Sequence, residues 1–275
     1  MGARSLALAV LATGWVAGCG DDDEPVTIAF EAAVGDESFQ CGQTYEGLGA
    51  TGSDFTARDL RLYVHDVALL DAEGEPVAVN VDDDGQYQHA GVTLLDLADG
   101  GPGCNDGEET HTEVTGSAPP GEYTGLRFTV GVPFELNHDD VGTAPPPLNI
   151  NQMFWNWLHG RIFVRVDGST EDLPGFRAHI GSTACQGDNV QTPATSCDNE
   201  NRPEVELTGF DPRTEPVVVD LAGLLEGMDL TSNTPDTAEG CRAEPNDPDC
   251  EPLFHNLGLP WDGVPSPGQQ FFRAD

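Results

Sequence analysis

The chain contains no lysine, and its eleven arginines face 48 Asp and Glu, for a formal net charge of -37. A surface of that sign repels nucleic acid and anionic lipid headgroups, which removes both as partners. No Cys-x-x-Cys pair occurs, so a thiolate metal knuckle lacks its usual spacing. Gly-x-Ser-x-Gly, His-Glu-x-x-His and a Gly-rich phosphate loop are absent too, so the commonest hydrolase, metalloprotease and nucleotide signatures fail. A paired-carboxylate hydrolase is compatible with so acidic a chain, but nothing singles out a pair. After Val16 no stretch is apolar enough to span a membrane.

What is present begins with an export signal. Arg4 precedes the short apolar run Leu6 to Val16, which ends in Val16-Ala17-Gly18-Cys19 before the acids Asp21 to Glu24. Residues 1–18 read as a lipoprotein signal peptide, with Cys19 as the lipidated residue and 19–25 as an acidic tether. The expected location is the periplasm or cell surface, at the outer membrane. Setting Cys19 aside leaves an even set: Cys41, Cys104, Cys185, Cys197, Cys241 and Cys250. In an exported chain these read as disulfides. Sequence leaves their connectivity open. The local pairs Cys185–Cys197 and Cys241–Cys250 would each enclose a polar loop, leaving Cys41 with Cys104.

Residues 26–275 read as one all-β domain, a β-sandwich with long disulfide-stapled loops and few short helices. Strands are expected at Val26–Val34, Phe55–Leu70, Val77–Val81, Val92–Asp96, Glu109–Gly116, Tyr123–Val132, Trp155–Asp167, Gly175–Ile180, Glu204–Leu207 and Val217–Asp220. Polar and apolar residues alternate from Arg58 to Val67, the mark of a strand with one wet face. Short helices are expected at Leu148–Trp157 and Leu221–Leu225.

Chemistry concentrates in Met153-Phe-Trp-Asn-Trp-Leu-His159, where Trp155, Trp157 and His159 occupy alternate positions. In a strand they would share one face, as a core wall, a redox-active patch or part of a metal site. His65, His138 and His179 are scattered and could meet only through folding. Imidazoles with few acids suit copper or zinc better than calcium. Taken singly, each is as readily a structural histidine, and Trp-x-Trp pairs commonly pack cores. Asp82-Asp83-Asp84-Gly85 and Asn105 to Glu109 do not complete an EF-hand pattern and read as solvated turns. A non-catalytic surface sandwich that binds carbohydrate or protein is the alternative from a different class.

Six segments occur in order: Cys41-Gly-Gln-Thr-Tyr-Glu-Gly-Leu-Gly, Leu62-Tyr63-Val64-His65-Asp66-Val67, Gly121-Glu-Tyr-Thr-Gly-Leu-Arg-Phe, Val130-Gly-Val-Pro-Phe-Glu-Leu-Asn-His138, Met153-Phe-Trp-Asn-Trp157 and His179-Ile-Gly-Ser-Thr-Ala-Cys185. Together they resemble the MbnP-like family, the four-Cys-motif proteins of metallo-mystery pair systems. The resemblance covers about Thr27 to Pro260. It implies a copper-binding protein, not itself an enzyme, encoded beside a MauG/MbnH-like dihaem cytochrome c peroxidase that oxidises a tryptophan to kynurenine. On this chain the oxidised residue would be Trp155 or Trp157. His65, His138 and His179 lie within the resembling motifs and are candidate copper ligands, with His159 as a possible fourth. Six cysteines where the family has four imply one peripheral disulfide, Cys185–Cys197 or Cys241–Cys250.

Overall fold

The computed structural model describes residues 23–105 and 109–274. The signal peptide, Cys19 and the tether up to residue 22 lie outside the described residues. The first strand, Glu24–Val34, starts at the end of the expected tether. Its Val26, Ile28 and Phe30 are buried at alternate positions, which places one face on the core. It pairs in parallel with Val217–Asp220 and antiparallel with Glu113–Ala118. Phe272–Ala274, Asn80–Val81 and Glu37–Ser38 complete a six-stranded sheet.

A ten-stranded sheet faces it, built around the 19-residue strand Ser53–Asp71. The order across this sheet is Glu204–Thr208, Tyr123–Val130, Ser53–Asp71, Val164–Ser169, Arg177–Ile180 and Gly240–Cys241. Val92–Asp96, Thr44–Leu48 and Pro76–Ala78 also pair with the long strand. Leu60, Leu62, Val64, Phe128 and Val166 meet Ile28, Phe30 and Val219 in the main core between the sheets. The architecture is the expected all-β sandwich.

The long strand departs from expectation on its second face. Alternation predicts that Asp59, Arg61, Tyr63 and His65 face water, yet all four are buried. The segment between Val132 and Phe163 folds back over them. Its Leu148 and Met153 pack with Tyr63, Val92, Leu94, Val132 and Phe163 in a second, smaller core. A polar stripe on a strand states only that the face is not the main core, and here it is covered by chain. The buried charges are paired, as they must be. Arg61 and Arg165 both bond Asp59, Arg165 also bonds Asp167, and Asp167 bonds His179.

A β-bulge lies directly after His65. Thr129 stands opposite His65 and Arg127 opposite Ala68, so Asp66 and Val67 together oppose one residue. Asp66 takes φ 52°, a left-handed conformation, and the extra residue shifts the phase so that Val67 and Leu69 return to the main core.

The cysteines form three disulfides, Cys41–Cys104, Cys185–Cys197 and Cys241–Cys250. The helix Leu221–Leu225 is present, capped by the Asp220 carboxylate, which accepts from the Ala222 and Gly223 amides. The helix expected over Leu148–Trp157 is not. Only Asn151–Met153 makes a single 3-10 turn there. A helix over Cys250–Asn256 takes up part of the Pro/Asp-rich C-terminal region.

Candidate metal centre

The Trp-x-Trp-x-His run is a tight hairpin and not a continuous strand face. Phe154–Asn156 pairs antiparallel with Gly160–Arg161, and Trp157, Leu158 and His159 form the turn. Asn156 builds that turn: its Oδ1 accepts from the Leu158 and His159 amides, each at 3.0 Å. Trp155 therefore belongs to the strand, whereas Trp157 is at the tip, and the two indoles do not line one wall. Gly160 closes the hairpin at φ 75°, and an added Cβ there would come within 2.5 Å of the Asn137 side chain.

Two residues that the sequence reading did not single out hold this hairpin on the body. Asn137 is fully buried and its Oδ1 accepts the Arg161 amide at 2.7 Å. Arg161, also buried, donates to the carbonyls of Leu136, Asn137 and Leu148. A guanidinium satisfied by carbonyls alone ties the 133–148 segment to the hairpin. Desolvation draws its pKa below the usual arginine value.

The three candidate histidines do not meet at one ion. His65 and His179 lie on the same face of the large sheet, since Arg61 pairs with Arg165 and Arg165 with His179. Two strand spacings and four residues along the strand separate them, roughly 17 Å. One ion cannot bridge that gap. His138 sits at the end of the short helix Phe134–Asn137, beside Cys197. Among the described residues, the groups of three ligand atoms lying within 4.8 Å of one another are His138–Cys185–Cys197 and Cys41–Asp99–Cys104. The expected single triad of His65, His138 and His179 is not assembled.

His65 and His179 nonetheless have the orientation of a ligand imidazole, one ring nitrogen donating to a fixed oxygen and the other left with its lone pair, whereas the His138 Nε2 lone pair already accepts from Asn137 Nδ2 at 3.2 Å. His65 Nδ1 donates to Gly131 O at 2.9 Å, His138 Nδ1 to Trp157 O at 3.1 Å, and His179 Nε2 to Asp167 Oδ1 at 2.6 Å. Burial lowers all three pKa values and outweighs the oxygens that raise them, so the rings are neutral at pH 7. Burial also raises Asp167, but His179 and Arg165 outweigh it and bring the carboxyl down to about 2. His159 is placed as His138 is: its Nδ1 is 3.1 Å from Asn156 Nδ2, which donates to it, so that lone pair is already used.

The surroundings of Trp155 stand out. Its ring lies over Gly181, where a Cβ would come within 2.7 Å of the indole, and its edge meets the His159 ring at a centroid distance of 6.5 Å. A surface pocket of about 370 Å³ is lined here by Trp155, Asn156, His159, Thr183, Arg242 and Glu244. Three buried nitrogens in this region have no hydrogen-bond partner among the described residues: Trp155 Nε1, Arg242 Nε and His179 Nδ1. Gly181 lies two residues beyond His179 on the chain, and the Arg242 charge is felt at His179. Buried polar groups are rarely left unsatisfied, so the unpartnered nitrogens of Trp155 and Arg242 on one pocket mark a place suited to a group of complementary polarity. A neutral imidazole lone pair, as at His179 Nδ1, suits copper or zinc.

A family model described as MbnP matches residues 23–243. Among solved structures, MbnP from Methylosinus trichosporium is similar, with a TM-score of 0.78 and 33% sequence identity, over 91% of this chain and 97% of that one. No curated protein compared with the chain matches it.

Proposed function

The chain belongs to the MbnP family, and on that premise we propose that it is an exported copper-binding protein, lipid-anchored through Cys19. In this reading it is not an enzyme. It is first the substrate of a MauG/MbnH-like dihaem peroxidase and then a copper binder, at the periplasmic or outer surface of the outer membrane, in copper acquisition or handling.

The observation that carries the site assignment is the trio of unpartnered nitrogens at Trp155, Arg242 and His179. We assign the oxidation to Trp155 and not to Trp157. Opening the indole C2–C3 bond adds two oxygen atoms, a four-electron oxidation whose electrons pass through the partner's haems to peroxide. Hydrolysis then releases the formyl carbon as formate, leaving an aryl amine and a ketone. A ketone oxygen is an acceptor for Arg242 Nε–H, and an aryl amine has a nitrogen lone pair that an indole lacks. Copper would be held by His179 Nδ1 and that amine.

The test is to purify the mature chain made with and without its dihaem partner and to compare intact mass and copper content. The reading predicts a partner-dependent gain of oxygen and loss of one carbon, with copper bound. A protein that binds no copper in either form overturns it. His179→Ala should weaken copper binding by about tenfold or more, whereas His65→Ala should leave it unchanged. The reverse pattern would move the site to the His65 bulge.

A further inference from the structure

We propose that the Cys185–Cys197 disulfide masks a second site for a soft metal ion, a Cys2His site completed by His138. The two cysteines stand directly opposite each other on the hairpin Thr183–Gln186 and Ser196–Asn199. His138 Nε2 lies 3.7 Å from Cys197 Sγ, and the three ligand atoms lie within 4.8 Å of one another. The imidazole already has a ligand's orientation. Its Nδ1–H is committed to Trp157 O, so it is the Nε2 lone pair that faces the sulfur, where it also accepts from Asn137 Nδ2 at 3.2 Å, a bond that a bound ion would displace. In the oxidised protein these sulfurs are poor ligands. As thiolates beside a neutral imidazole they would make a three-coordinate donor set suited to copper(I).

Accessibility separates this bridge from the others. Both Cys185 and Cys197 are half-buried and open to a reductant, whereas Cys241 and Cys250 have no exposed surface. The Cys41–Cys104 bridge has Asp99 beside it but no imidazole. The unmasking step is thiol–disulfide exchange with a dithiol of the thioredoxin-like class. The reductant gives two electrons and two protons, becoming a disulfide, and the Cys185–Cys197 S–S bond becomes two thiols. Binding one copper(I) then releases both thiol protons. This inference does not depend on the oxidation of Trp155.

The experiment is copper(I) titration of the mature protein against bathocuproine disulfonate, before and after mild phosphine reduction, with the freed cysteines mapped by alkylation. Reduction should expose Cys185 and Cys197 and add one tight copper(I) equivalent. That equivalent should be absent from the C185S/C197S double variant, and His138→Gln should weaken it by about tenfold or more. His179→Ala should leave it intact, which separates it from the copper of the oxidised protein. No added copper(I) after reduction, or added copper(I) that persists in C185S/C197S, overturns the proposal.

Discussion

At the scale of single residues, Trp155 and Trp157 look equivalent in sequence and are not equivalent in space. Trp155 is packed over Gly181 with its N–H buried and unpartnered, while Trp157 contributes its carbonyl to His138 from the turn. Trp155→Phe should therefore abolish the partner-dependent mass change and Trp157→Phe should preserve it, as read by peptide mass spectrometry. Asp167 is the second residue with a sharp expectation. It accepts from both Arg165 and His179, and removing its charge leaves the half-buried Arg165 guanidinium with one partner fewer. Asp167→Asn should lower unfolding stability by about 3 kcal/mol, measured by urea titration.

Titration belongs to this scale too. Asp167 is depressed from 3.8 to about 2, so its contribution is present above pH 3.8 and lost as pH falls towards 2. His65, His138, His159 and His179 are also depressed, from 6.5, because burial disfavours their charged form. The unfolded chain binds their protons first, so stability present above pH 6.5 is lost as pH falls through their lowered values. Urea midpoints followed from about pH 7.5 to about pH 3 should decline in two stages, with the first missing from a variant lacking the buried histidines.

At the scale of elements, the informative failures come from reading a run of residues as one strand. The stretch Trp155–Asp167 has strand composition throughout, yet it contains a hairpin and a strand that pair with different parts of the molecule. The signal for the break was Gly160 with Asn156 four residues earlier, a turn glycine and an Asx turn. The wet face expected on Ser53–Asp71 failed for a different reason. Periodicity reports which residues share a face but not whether another segment covers it. The hairpin that carries Cys185 and Cys197 gains much of its order from their bridge. With a sequence separation of 12, its loss in C185S/C197S should lower stability by roughly 3 kcal/mol in the loop-entropy account, read by thermal unfolding.

At the scale of the whole molecule, the net charge of -37 dominates. Self-repulsion at that density opposes compaction and is screened within about 10 Å at 0.1 M salt. Added sodium chloride should raise the melting temperature, and it should slow association with a partner that docks through a basic patch. Both are measurable on the same preparation, by calorimetry and by stopped-flow mixing.

Composition and local pattern alone were enough for the all-β class, for an even set of disulfide cysteines and for most strand positions, because those rest on periodicity and cysteine count, whereas the pairing came from the structure. The family membership was also legible, from the order of six short motifs. Only the tertiary structure decided that His65, His138 and His179 do not form one triad, that Trp155 and not Trp157 packs against the core, and that Arg161 and Asn137 hold the hairpin down. These are long-range facts. They depend on which strands neighbour each other and on where the 132–163 segment lies, and no residue carries that information in its own spacing.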